Sequence, residues 1–79
     1  MTRTMISLYD AKANKPVLIT AVPDIGLLEN LGVRVGTRVM IQSRYAWGGP
    51  VLLRVEDSFA VAIGKDIAVQ ISAQEVGAP

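Results

Sequence analysis

The sequence predicts a small, mainly β domain, an antiparallel barrel or sandwich of about five strands with one short helix after the first strand. Three observations lead there. Apolar residues recur with period two over most of the chain, and the pattern breaks at Gly, Pro or Asp at roughly eight- to twelve-residue intervals. One segment alone has helical spacing instead. At 79 residues there is length for a single domain, expected over residues 1–79 with its core between about 5 and 74. No internal repeat, low-complexity tract or domain boundary interrupts it.

Pro16 to Pro23 contains Val17, Leu18, Ile19, Ala21 and Val22, a β-branched run bounded by prolines, and reads as the first strand. Asp24 to Gly32 is the helix. Asp24 is placed to cap its start, Leu28 and Leu31 share a face, and Gly32 can take the left-handed conformation that closes it. The second strand, Thr37 to Tyr45, alternates Val39 and Ile41 with Arg38, Gln42 and Arg44, one face buried and one wet. Trp47-Gly48-Gly49-Pro50 turns the chain. Val51, Leu53 and Val55 form the third strand, Glu56-Asp57-Ser58 the tight turn, and Phe59, Val61 and Ile63 the fourth, so these two strands make a hairpin. About one helical turn at Gly64-Lys65-Asp66 precedes a fifth strand carrying Val69, Ile71 and Ala73. Near the N-terminus, Ser7-x-x-Asp10 opens a short turn that brings Leu8 and Tyr9 to the barrel. The expected core is Val39, Ile41, Leu53, Val55, Phe59, Val61, Ile63, Val69 and Ile71.

Composition excludes much chemistry. The chain has no cysteine and no histidine, which removes disulfides, Cys/His zinc sites, cysteine nucleophiles and histidine acid–base catalysis together. Eight Lys and Arg against seven Asp and Glu give a net charge of +1, too little for a basic field that holds a phosphate backbone. The longest uncharged stretch, Tyr45 to Leu53, falls far short of the roughly 20 apolar residues of a membrane-spanning helix. Met1 to Met5 carries no signal-peptide pattern, so a cytoplasmic chain with no membrane insertion is expected. A mean hydropathy of +0.38 is high for so small a domain and points to apolar surface that meets a partner or a second copy of the chain.

Few residues remain as candidates for chemistry. Glu56 and Asp57 are the one adjacent carboxylate pair; they read as a solvated hairpin turn, with a weak oxygen-ligand metal site as the alternative. Trp47, the only tryptophan, is either folded over the barrel mouth or offered to a partner. Arg34, Arg38, Arg44 and Arg54 read as a solvated face in preference to a nucleic-acid groove, because only four aromatic residues accompany them. The glycines have neither dinucleotide-fold nor P-loop spacing.

Leu28-x-x-Leu31-Gly32-Val33-x-x-Gly36-Thr37-x-Val39 resembles the signature of FeoA-type ferrous iron transport proteins. Gly49-Pro50-Val51 is similar to that family's Gly-Asp-Pro-Ile hairpin start, and Ala62-Ile63-x-x-x-x-Ala68-x-x-Ile71 to its Ala-Leu-Arg-x-x-x-Ala-x-x-Ile ending. The chain departs from the pattern at Val35, often proline, at Gly64, often arginine, and at Ile25-Gly26, where an arginine commonly precedes the paired leucines. The resemblance implies an SH3-like five-stranded barrel with one short helix between strands 1 and 2. It also implies a noncatalytic cytoplasmic protein whose partner is the membrane GTPase transporter FeoB. No cofactor is expected, since the oxygen donors available here would hold ferrous ion only weakly. Leu27, Leu28, Leu31 and Trp47 are then the expected contact residues, toward that transporter or a second copy. The alternative is a barrel binding nucleic acid or the ribosome, since Gly36 to Ile41 also resembles a KOW-type strand. The near-neutral charge argues against it.

Overall fold

The computed structural model describes residues 5–45, 47–56 and 59–76. Six strands alternate with short helical turns: β1 (Met5–Ser7), β2 (Pro16–Ala21), α1 (Gly26–Asn30), β3 (Arg38–Arg44), β4 (Val51–Val55), β5 (Ala60–Ile63), α2 (Lys65–Ala68) and β6 (Ser72–Glu75). They form one antiparallel sheet in the order β1-β6-β2-β3-β4-β5. Six strands therefore stand where five were expected, and β1 and β5 end the sheet without being paired to each other. The additional strand is β1, whose three residues are too few to show a period. It leads into a 3-10 turn at Leu8–Asp10, which the Ser7 hydroxyl caps by accepting from the Tyr9 N–H.

Period two is realised where it was read. Val17 and Ile19 of β2, Val39 and Ile41 of β3, Val51, Leu53 and Val55 of β4, and Ala73 of β6 all point into one core. Leu8, Ala11, Leu28, Val33, Ile63, Ala68 and Ile71 close it from the turns and ends. No polar or charged residue of the described set is fully buried among them. Three expected core residues are not in it, two of them exposed. Phe59 precedes β5 and is 50% exposed, because the sheet ends at β5 and no further strand among the described residues covers that flank. Val69 is also exposed, because α2 continues through Ala68 and delays the last strand to Ser72. One residue past Ala68, the helical rotation of about 100° turns Val69 away from the core. Val61 is partly buried against the core.

Candidate functional site

The most distinctive surface is built around α1. The helix begins one residue later than its expected cap: Ile25, not Asp24, occupies the N-cap, and no side chain caps it. Ile25 is partly buried and its N–H is already donated to Pro23 O at 2.8 Å, so the entry is fixed by packing and a tight turn. At the other end Gly32, with φ of +83°, donates to Glu29 O and Val33 donates to Leu28 O at 2.8 Å. This is the Schellman closure, and its accompanying apolar contact falls on Leu28 and Val33, both buried.

The three leucines of this helix have different fates. Leu28 is 2% exposed and anchors the helix to the core, while Leu31 is partly buried against the same core. Leu27, one position earlier and rotated about 100° around the helix, is 59% exposed. Of the leucines expected to make contacts, then, Leu27 faces solvent and Leu28 is withdrawn. Beside α1 lies an open groove of about 470 Å³ lined by apolar Val22, Pro23, Ile25, Leu28 and Val35 together with charged Asp24, Glu29 and Arg34. Val35 is itself 60% exposed.

Trp47 is fully exposed, with φ of 65°, so its ring is not folded over the barrel. The structure does not bring it to the helix. α1 and the loop after it enter β3 at Arg38, whereas the Trp47 loop leaves β3 at Arg44, and a seven-residue strand spans roughly 20 Å. The loop lies instead near α2, since a Cβ on Gly48 would stand 3.5 Å from Lys65 Cδ. At that same end Lys65 Nζ and the Arg44 guanidinium lie 5.5 and 5.7 Å from the Tyr9 ring centroid, and Arg44 also donates to Ala11 O.

The four arginines do not converge on one groove. Arg38 and Arg54 flank Met40 on the outer sheet face, where the Gln42 amide, with its oxygen toward the guanidinium, accepts from Arg54 Nε at 2.9 Å. Arg44 is engaged at the far end of β3, and Arg34 lies in the loop after α1. A second open depression, about 670 Å³, crosses β2 and β3 over Leu18 and Met40 with Arg38 and Glu56 at its edge. Glu56 is exposed at the end of β4 with φ of 52°. Its expected companion Asp57 lies outside the described residues. Among the described residues no three carboxylates gather as a metal cage would require. No helix of the described residues is long and apolar enough to cross a membrane.

The order of these turns and core positions is that of a known family. The FeoA domain model matches residues 6–75. The fold agrees with the crystal structure of an iron uptake regulatory protein, FeoA, at a TM-score of 0.82 and 16% identity, over 92% of this chain and 99% of that one. It agrees equally with the solution structure of a FeoA-like protein from Clostridium acetobutylicum, at a TM-score of 0.79 and 20% identity, over 100% and 94% of the two chains. A manganese-dependent transcriptional repressor in complex with manganese contains the same fold, at a TM-score of 0.84 and 13% identity; this chain spans 39% of its length. No curated protein matches the chain in sequence. The fold is thus SH3-like. The chain belongs to the FeoA domain family.

Proposed function

We infer that this protein is a noncatalytic accessory component of ferrous iron uptake that docks through the α1 groove on the cytoplasmic domain of a FeoB-type membrane GTPase transporter. Family membership and the likeness to a FeoA described as an iron uptake regulatory protein support the iron-uptake part. The observation that carries the docking part is the contrast between two neighbours. Leu28 fastens a five-residue helix to the core, and the same helix holds Leu27 out in water. A helix this short has no stability of its own, so its position is set by Leu28 and the Schellman closure. Leu27 is held exposed by a rigid support, on the helix whose Gly26, Leu28 and Glu29 help line the groove with Val22, Pro23, Ile25 and Val35. Exposed apolar side chains interspersed with charged ones are the composition of a protein-contact site.

Several features support binding over catalysis. The chain has no histidine or cysteine, and the described carboxylates do not cluster. Iron is cargo of the transporter in this reading, and oxygen donors alone give this chain only weak affinity for it.

Leu27→Glu tests the reading. The variant should keep the far-ultraviolet circular dichroism and melting curve of the parent, since Leu27 lies outside the core. Titrated against the isolated cytoplasmic domain of a FeoB-type transporter, it should bind at least about tenfold more weakly, which is about 1.4 kcal/mol. Undiminished binding by the folded variant would remove α1 from the docking surface. Absence of binding by the unaltered protein would remove the docking function itself.

A further inference from the structure

We propose that the free edge of β5 pairs with β5 of a second copy of this chain, joining two sheets across a two-fold axis at Val61. The hydrogen-bond parity of the hairpin defines that edge. Val55 N–H donates to Phe59 O at 3.1 Å, and the register pairs Leu53 with Val61 and Val51 with Ile63. In an antiparallel ladder hydrogen-bonded and non-bonded pairs alternate, so Phe59, Val61 and Ile63 direct their backbone groups to β4. Ala60 and Ala62 direct theirs away from it. β5 ends the sheet, and no backbone hydrogen bond among the described residues uses the outward N–H and C=O groups of Ala60 and Ala62.

Those four groups complement their own copy. With the axis at Val61, Ala60 stands opposite Ala62 of the second copy and Ala62 opposite its Ala60, and each such pair exchanges two hydrogen bonds. All four outward groups are satisfied, and none is left over. The side chains agree with the backbone. Phe59 to Ile63 contains no charge and no proline, the devices by which natural edge strands resist pairing. Ala60 and Ala62 are exposed but small, so two strands can approach without obstruction. Phe59, half-exposed in one copy, falls opposite Ile63 of the other in a close, non-bonded position, where Ile63, buried in its own core, leaves the ring unobstructed. The β1 edge is the weaker candidate, with three described residues against the four of β5.

The contact is small beside the roughly 1,200–2,000 Å² of stable specific interfaces, so the dimer is weak and depends on concentration. Sedimentation of the whole chain should show 8.5 kDa when dilute and a mass approaching twice that toward about 1 mM. Amide exchange locates the contact. Between dilute and concentrated protein, Ala60 and Ala62 should slow severalfold, while Val61 and Ile63, bonded to β4, should not change. Two variants should remain monomeric and folded: Ala62→Pro, which removes one outward N–H and spares the β4 ladder, and Ala60→Lys with Ala62→Lys, which sets like charges opposite each other. The second decides the matter if the first does not fold. The proposal is overturned by a monomer at about 1 mM, by a dimer persisting in the folded double-lysine variant, or by Ala60 and Ala62 amides that slow only when a different protein is added.

Discussion

Adjacent leucines in α1 should respond to the same truncation with very different losses of stability. Leu28→Ala removes about three carbons from a side chain that is 2% exposed, a transfer loss of about 2.4 kcal/mol at about 0.8 kcal/mol per carbon. The cavity left against Val33 adds to it, for a total of about 3 to 4 kcal/mol. Leu27→Ala removes the same atoms from a side chain 59% exposed, so about two-fifths of the transfer term applies and no cavity forms. Alanine also has the better helix propensity, and the net loss is about 1 kcal/mol or less. A 79-residue domain has about 4 to 12 kcal/mol of stability to lose, so Leu28→Ala takes about a quarter or more of it. Thermal melts by circular dichroism, with urea unfolding to check that the m-value is unchanged, should show Leu28→Ala falling by roughly 12–30 °C and Leu27→Ala by less than about 8 °C. Equal losses for the two, or a Leu28→Ala variant within about 1 kcal/mol of the parent, would refute the placement of the helix.

Other positions extend the test to the sheet end and the turns. Phe59→Ala in dilute protein should cost about 1 to 2 kcal/mol by urea unfolding, well under the roughly 3 to 5 kcal/mol of a core phenylalanine, because the ring is half-exposed beside an edge strand. Two glycine-to-alanine changes should have opposite signs in thermal melts. Gly26→Ala should raise stability by about 0.4 to 1 kcal/mol, since its backbone suits alanine and the added methyl meets nothing within 4 Å. Gly36→Ala meets nothing either, yet should lower stability by about 1 to 2 kcal/mol, because φ of +92° strains any residue with a Cβ.

Much of the sheet was legible because one-sided burial leaves a period-two trace. Val39 and Ile41, and Leu53 and Val55, lie in the core where alternation places them. The closing glycine of α1 was equally legible, since a left-handed residue after an apolar helical turn calls for Gly32. What escaped depends on tertiary position. Alternation says which way Phe59 points but not that β5 lies at the edge of the sheet, where no neighbouring strand buries the ring among the described residues. Val69 alternates with Ile71 in sequence, but α2 runs on and assigns it to a helical turn instead. Leu8, Ala11 and Ala68 are core residues in short turns that carry no period. At the candidate site, the exposure of Leu27 follows from helix geometry, because three leucines cannot all face inward on so short an element. Its separation from Trp47 does not, because it depends on β3 lying between the two loops.

The central claim, docking through the α1 groove, is tested most directly by titrating isotopically labelled protein with the cytoplasmic domain of a FeoB-type transporter and mapping which amides shift. The account predicts perturbations concentrated in the groove and helix, over residues 22–35, with Leu27 and Val35 among the largest and the amides of Trp47 and Gly48, at the other end of β3, little changed. Perturbations centred on the Trp47 loop and α2 with the groove unmoved, or no perturbation at saturating domain, would contradict it.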